Sequence, residues 1–372
     1  MKNNTFLILT ASFLISSFTI AQVGPITGEA QLRLKPIWER VADVYGEAGS
    51  VESVEFSPNG RYIVSGTKFD NSVIMWRTSD GMELWRAYAA EEIERVAFSP
   101  DGKFVASVSE DYLITVYDAK TGAVTKKIEL ESAADGLAWG NSKNILISGQ
   151  ERLKGNDGSD KGYVRAYDMD TGKQMYRLEH DHTVNEIQFT RDDSHFLSAA
   201  TDGSVKVWKT EDGTLVKKLQ PEPNSKFKFV CANFSPDSKH VVASGFEGDI
   251  FVWEIESGKL IREFNTSGRK IETVTFTPDG KYILTAGNDP YIRMYRSDQV
   301  LDRNLKKVPI IYAVHANDQA EYMDFNSDGS FLVSAHQDGI IRLWVFMGED
   351  AALNQKRHEN VKKSQSDALQ KS

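Results

Sequence analysis

Cysteine is all but missing from this chain of 372 residues: Cys231 stands alone, so there is no internal disulfide and no thiolate metal cluster. Its neighbours Phe229, Val230 and Ala232 are apolar, which marks it as an inert core residue. Positive charge is in deficit. With 44 Lys and Arg against 53 Asp and Glu, the formal net charge is -9, a balance that disfavours phosphate backbones and makes nucleic acid an unexpected partner. The sequence holds no C-x-x-C-H haem attachment, no G-x-x-x-x-G-K-[ST] phosphate loop and no H-E-x-x-H zinc helix. Its seven histidines are scattered, with His180 and His182 the one close pair, so no cofactor and no catalytic metal is expected.

Long apolar runs are confined to one place, Phe6 to Ile20. Preceded by Lys2 and followed by Thr19-Ile20-Ala21, this run predicts an export signal cleaved after Ala21. Thr10, Ser12, Ser16 and Ser17 interrupt it, and it falls short of the about 20 apolar residues of a membrane anchor, so no span is expected in the mature chain. The reading is of a secreted protein, periplasmic or extracellular, whose net charge moves from -9 to -10 with the loss of Lys2. It divides the chain into a signal peptide (1–21), a linker (22–34), a repeat domain (35–347) and a polar tail (348–372).

The repeat decides the architecture. An aromatic followed by a turn recurs seven times, at Phe56, Phe98, Trp139, Phe189, Phe234, Phe276 and Phe325, as in Phe98-Ser99-Pro100-Asp101-Gly102. A second aromatic follows each at Trp76, Tyr117, Tyr167, Trp208, Trp253, Tyr295 and Trp344, with offsets of 20, 19, 28, 19, 19, 19 and 19. The two exceptions locate an insertion of one residue in unit one and of nine in unit three. Successive first aromatics lie 42, 41, 50, 45, 42 and 49 residues apart, near the period of four-stranded propeller blades. Within a unit, alternating strands are separated by Ser-Pro-Asp-Gly and Asp-Gly turns, where Pro presets one dihedral and Gly accepts positive φ.

A single such sheet cannot bury both faces, and stacking around an axis gives each sheet two neighbours. The sequence therefore predicts an all-β, closed seven-bladed β-propeller with four-stranded antiparallel blades. Unit seven lacks a fourth strand, because Trp344 is followed only by Val345, Phe346 and the tail. Pro36 to Tyr45 is predicted to supply it by pairing with Ile340 to Trp344, closing the ring and removing an exposed edge.

At these residues the chain resembles the WD-repeat propeller family over 35 to 346, in a secreted, bacterial-type form. The Trp-Asp pair itself is absent: Tyr117-Asp118 and Tyr167-Asp168 come nearest, while Trp208-Lys209, Trp253-Glu254 and Trp76-Arg77 keep the aromatic alone. The resemblance implies a structural hydrogen-bond network of His180, Ser198, Asp202 and Trp208 in blade four, and a looser set of His315, Ser334, Asp338 and Trp344 in blade seven. A hydrolase triad is the weaker reading of these Ser, His and Asp residues, because their spacing follows the repeat and no G-x-S-x-G turn is present.

The family's geometry also implies that the turns between second and third strands share one face with the connections into each first strand. On that face Phe69, Tyr112, Phe246 and Tyr291 are expected as interface anchors. Glu91, Glu92, Glu94, Glu110 and Asp111 would make its blade-two end acidic, and Lys226, Lys228, Arg269 and Lys270 its blade-five and blade-six end basic. Asn156, Asp157 and Asp160 in the blade-three insertion offer oxygens for Ca²⁺, against which stands the mismatch with the calcium-loop spacing. On the opposite face, Ser297 to Pro309 is expected to include a short helix.

These features point to a non-catalytic scaffold binding a protein or peptide, as a monomer or as part of a hetero-complex. The rivals are a lyase or hydrolase with its site at the channel mouth, which a channel pocket of carboxylates with perturbed pKa values would favour, and a propeller that binds a small ligand or metal.

Overall fold

The Ser-Pro-Asn-Gly, Ser-Pro-Asp-Gly and Thr-Pro-Asp-Gly turns of blades one, two and six are built the same way. In blade two the Asp101 carboxylate accepts from Ser99 Oγ at 2.8 Å and from the Lys103 N–H at 3.0 Å, and Gly102, with φ +68°, lets the chain reverse. Turns of this kind join short strands whose apolar residues are buried on both faces, so each unit becomes a sheet that needs a neighbour on either side. The computed structural model describes residues 33–154, 160–222 and 227–347, and these form seven antiparallel sheets.

Blade one comprises Val51–Phe56, Tyr62–Thr67, Ser72–Arg77 and Met82–Tyr88, paired in that order outward from the axis, and the other blades repeat the plan. In blade three an added two-residue strand, Leu153–Lys154, folds back on Asp160 and Lys161 to extend the insertion as a hairpin. In blade six a helix, Ser297–Leu301, lies between the third strand, Asp289–Arg296, and the fourth, Tyr312–His315. Among the described residues no helix is long and apolar enough to cross a membrane.

Blade seven is completed by the amino-terminal strand. Arg33–Val41 pairs antiparallel with Ile340–Met347, from Arg33 opposite Met347 to Val41 opposite Ile340. The strand begins before Pro36 and ends at Val41, short of the Tyr45 expected from sequence, because Asp43 turns the chain: its carboxylate accepts from the N–H groups of Tyr45, Ser50 and Phe69. The register slips between Pro36 and Trp38, where proline has no N–H to give the ladder.

The core consists of the apolar layers between adjacent blades. The layer closing the ring joins Val333, Ala335, Ile341 and Leu343 of blade seven to Val51, Val54, Ile63 and Trp76 of blade one. Cys231 is buried between blades five and six, where burial pushes its thiol well above the ordinary range and Glu186 adds to the effect.

Candidate functional site: the channel and the upper face

Every first strand carries a β-bulge at its second residue. The register of the first two strands skips Glu52, Glu94, Asp135, Asn185, Val230, Glu272 and Glu321 in blades one to seven. A bulged residue has no partner across the ladder and its side chain is re-aimed. Here five of the seven such residues are carboxylates, set where the channel opens on the upper face, the face that bears the second-to-third-strand turns.

Burial, with repulsion from neighbouring carboxylates, raises Glu94, Asp135, Glu272 and Glu321. Glu94 is pushed up to about 8, by burial first and then by the charges of Glu52 and Asp135. Asp135 is raised to about 7, by burial and then by Glu151 and Glu110, and Glu321 to about 8, by burial and then by Glu272 and Glu52. Lys68 bonds Glu92 at 3.1 Å and Lys270 bonds Glu272 at 2.7 Å, so two ammonium groups offset part of the ring. Glu92, Glu94 and Glu110, and likewise Glu110, Asp135 and Glu151, bring carboxylate oxygens within 4.8 Å of one another.

Below the mouth the channel is crossed by side chains. Arg95 of blade two reaches Glu186 of blade four at 3.4 Å and lies 4.3 Å from the ring centroid of Tyr322 of blade seven. Gln188 Nε2 donates to Tyr322 Oη at 3.2 Å. Blades two, four and seven are not neighbours, so these contacts are made across the axis and divide the upper mouth from a lower cavity of about 280 Å³. The two carboxylates of the lower cavity stitch adjacent blades: Asp324 accepts from the Phe56 N–H at 2.7 Å, and Glu55 from the Phe98 N–H at 3.1 Å. Burial lifts Asp324 to about 7, and Glu55 is raised by burial and by the charge of Asp324.

On the upper face the turn after the second strand is tied to the connection into the first strand in six blades, as in Lys68 N–H to the Ser50 carbonyl and Glu110 N–H to that of Glu92. Phe69 is the residue inserted in the blade-one turn, and its ring is more than half exposed, as is that of Tyr112. The last turn position is in the left-handed region, at φ 55° for Asn71, 79° for Gly203, 82° for Gly248 and 72° for Gly339. In blade two it is Tyr112, at φ 65°, which costs an aromatic residue about 1 kcal/mol of backbone strain.

Phe246 is exposed too, but the ammonium groups of Lys270 and Lys228 lie 4.9 and 5.7 Å from its ring centroid. Tyr291 is half-buried beneath the Arg293 guanidinium and against the edge of His315 at 5.2 Å. The Arg269 guanidinium donates to the Asn288 carbonyl at 3.3 Å. The four aromatics therefore do not form one cluster. Phe69 and Tyr112 stand over blades one and two, while Phe246 and Tyr291 are covered by charged neighbours over blades five and six. Asp160 pairs with Arg152 at 3.2 Å, and Asn156, Asp157 and Lys226 lie outside the described residues.

In blade four, Trp208 Nε1–H donates to Ser198 Oγ at 2.8 Å, the Ser198 hydroxyl to His180 Nε2 at 2.7 Å, and His180 Nδ1–H to Asp202 at 2.9 Å. The directions follow because an indole only donates and a carboxylate only accepts. Burial keeps His180 below its ordinary value. Burial works to raise Asp202, but the bonds from His180, Ser204 and the Asp181 N–H prevail and hold it far below the carboxylate range.

Blade seven differs from expectation. Trp344 Nε1–H again donates to Ser334 at 2.8 Å, but the histidine is His336, at 2.7 Å from Ser334 and donating through Nδ1 to the Asp318 carbonyl at 3.2 Å. His336 lies two residues from Ser334 on the same strand face and displaces His315, which packs on Tyr291 instead. Asp338 leaves the network as well, because Arg342, four residues on, pairs with it.

The family model described as WD domain, G-beta repeat matches residues 38–77, 172–209, 213–254, 258–296 and 310–345, more than half of the chain, and that described as Anaphase-promoting complex subunit 4 WD40 domain matches 68–142. Eukaryotic translation initiation factor 3 subunit I of Emericella nidulans is 29% identical over 198 residues, which are 48% of this chain and 55% of the relative. Its counterparts from Neosartorya fischeri and Aspergillus niger are 26% and 28% identical over 200 and 197 residues, each covering 48% of this chain and 56% of the relative. The chain spans about half the length of the curated relatives it matches.

These relatives overturn one part of the sequence reading. They are named as subunits of a eukaryotic translation initiation factor, not as secreted bacterial-type proteins. The export signal and the periplasmic or extracellular location are corrected accordingly; residues 1–21 themselves lie outside the described residues. With its repeat, its seven sheets and a family match over more than half of its residues, the chain belongs to the WD40 repeat family.

Proposed function

We propose that this propeller is a non-catalytic scaffold, one subunit of a hetero-complex, that binds a protein or peptide partner on its upper face. The observation that carries the reading is the placement of Phe69 and Tyr112, two large rings more than half exposed on rigid turns, one of them held in a strained backbone. The relatives' naming as subunits supports membership of a larger assembly. Glu92, Phe246, Arg269 and Tyr291 extend the proposed face around the channel.

Raised channel carboxylates are also what an enzyme would show, and here they have another origin. The lower pair is raised by burial, and its oxygens are already taken by backbone N–H groups of neighbouring blades. The upper ring is crowded by bulges that recur in all seven blades, and the cations whose charge it feels are Lys68, Lys270 and Arg95. The only thiol in the chain, Cys231, is buried and held protonated. The test is affinity capture from native extract with wild type, with Phe69→Ala/Tyr112→Ala, and with Pro58→Ala/Pro100→Ala on the opposite face. Loss of the same partners only in the upper-face variant is expected; equal capture by all three refutes the reading.

A further inference from the structure

Five apolar or aromatic side chains, Val44, Tyr45, Phe69, Tyr88 and Tyr112, are each between 51% and 67% exposed on the upper side of blades one and two. Hydrogen bonds hold their backbone in place. The Phe69 N–H donates to Asp43, the Val44 N–H to Asp70, and the Ala89 N–H to the Asn71 carbonyl. Arg86 locks the base of this patch by donating to Asp70 at 2.7 Å and to the Ala42 carbonyl at 2.9 Å. Isolated exposed apolar groups are ordinary, but four on interlocked turns, with Tyr112 on the turn of the next blade, make a candidate docking surface.

The charge beside the patch selects its occupant. Its inner border is the acidic channel mouth, with Glu52 and Glu94 on the bulges of the same two blades and Asp135 next to them. Lys68 and Lys270 pair directly with Glu92 and Glu272, whereas Glu94 and Asp135 have no direct ion pair among the described residues. A partner that covered the patch with an acidic segment would add to the crowding of these carboxylates, while a cation set over the mouth would relieve it. The Arg95 bridge floors the mouth, so a long side chain enters from above and stops there.

We propose that the blade-one and blade-two patch docks a basic peptide segment of a partner protein, whose leucine- or phenylalanine-type side chains pack on Tyr45, Phe69, Tyr88 and Tyr112 while a neighbouring arginine or lysine enters the mouth toward Glu94 and Asp135. This rests on the scaffold reading above and names the chemistry of its partner. Tyr112 links the two parts. A tyrosine in a left-handed turn position where other blades carry glycine or asparagine is a backbone cost the fold does not need, and binding is what it returns.

The probe is an acetylated, amidated peptide with one central arginine between leucine and phenylalanine, compared by fluorescence anisotropy with its citrulline and glutamate analogues. The arginine peptide is expected to bind about tenfold or more tighter than the citrulline one, and to lose affinity as salt rises. Glu94→Gln/Asp135→Asn should erase that preference while keeping the weak apolar affinity. Tyr112→Gly should weaken binding about fivefold or more and at the same time raise the melting temperature, a pairing that a purely structural role for Tyr112 does not give.

Equal binding of the arginine and citrulline peptides, or no arginine-peptide binding at about 1 mM, overturns the proposal. So does a melting temperature raised by calcium chloride alone and dependent on Asp135, if the peptides are not distinguished; the mouth would then be a metal site. If capture by the upper face survives while the charge preference fails, this inference falls and the scaffold reading stands.

Discussion

Removing a single hydroxyl should destabilise the ring in proportion to the buried bonds it makes, and three equivalent serines provide the series. Ser198 Oγ joins Trp208 and His180, so Ser198→Ala strands a buried indole N–H and a buried imidazole nitrogen. At about 1–2 kcal/mol for each stranded group, the loss is roughly 2–4 kcal/mol. Ser65 holds only Trp76, at 2.9 Å, and Ser65→Ala should lose about half as much. Ser148, the equivalent position in blade three, has a buried hydroxyl with no partner, so Ser148→Ala should be neutral or slightly stabilising. For a propeller of this size about 1 kcal/mol corresponds to roughly 2 °C, so the expected falls in melting temperature are about 4–8 °C, 2–4 °C and none. Differential scanning fluorimetry at one pH and scan rate reads the order directly. If Ser148→Ala falls as far as Ser198→Ala, the attribution to these bonds is wrong.

Trp253 Nε1 is buried without a partner, and Ser244 bonds the Ile271 carbonyl instead; Trp253→Phe should therefore be tolerated better than Trp208→Phe in the same assay. The raised ring also sets a pH dependence. The folded values of Glu94 and Asp135, about 8 and about 7, exceed their unfolded values, so their contribution is fully present in acid and is lost as pH rises through the folded values. His180 and His336, lowered by burial, titrate on the acid side of 6.5. Between about pH 6.5 and 8.5 the melting temperature should thus fall, and Glu94→Gln/Asp135→Asn should flatten the slope and raise stability at the alkaline end. A displacement from 4.5 to about 8 bounds the Glu94 effect at about 5 kcal/mol; because water reaches the mouth, about 1–2 kcal/mol is expected. A slope unchanged by the double substitution counts against the crowded ring.

The fold was legible because its evidence is periodic. Turn aromatics such as Phe98 and strand-end aromatics such as Tyr117 recur at fixed offsets, and the unit left one strand short pointed to the segment that fills it. The channel ring was not legible by alternation. A bulge at the second residue of each first strand breaks the inward-outward pattern, so Glu52, Asp135, Glu272 and Glu321 look like ordinary exposed charges. Superposing the seven repeats would have exposed an acidic column at that position. The Arg95, Glu186 and Tyr322 bridge had no such signal, since three non-adjacent blades meet only once the ring closes. His315 was misplaced for a local reason: His336, two residues along the same strand, takes the bond to Ser334, and His315 packs on Tyr291. The amino-terminal reading failed because a short apolar run after one lysine carries little information on its own.

The ring depends on its last strand, and amide hydrogen exchange tests that strand most directly. Amides of Leu34 to Val41 that bond to Ile340–Met347 should be protected to the same degree as the second and third strands of blade seven, Phe331–His336 and Ile340–Met347. Exchange of the 34–41 segment at the rate of a free peptide, with blade seven otherwise protected, would contradict closure and with it the geometry of the upper face.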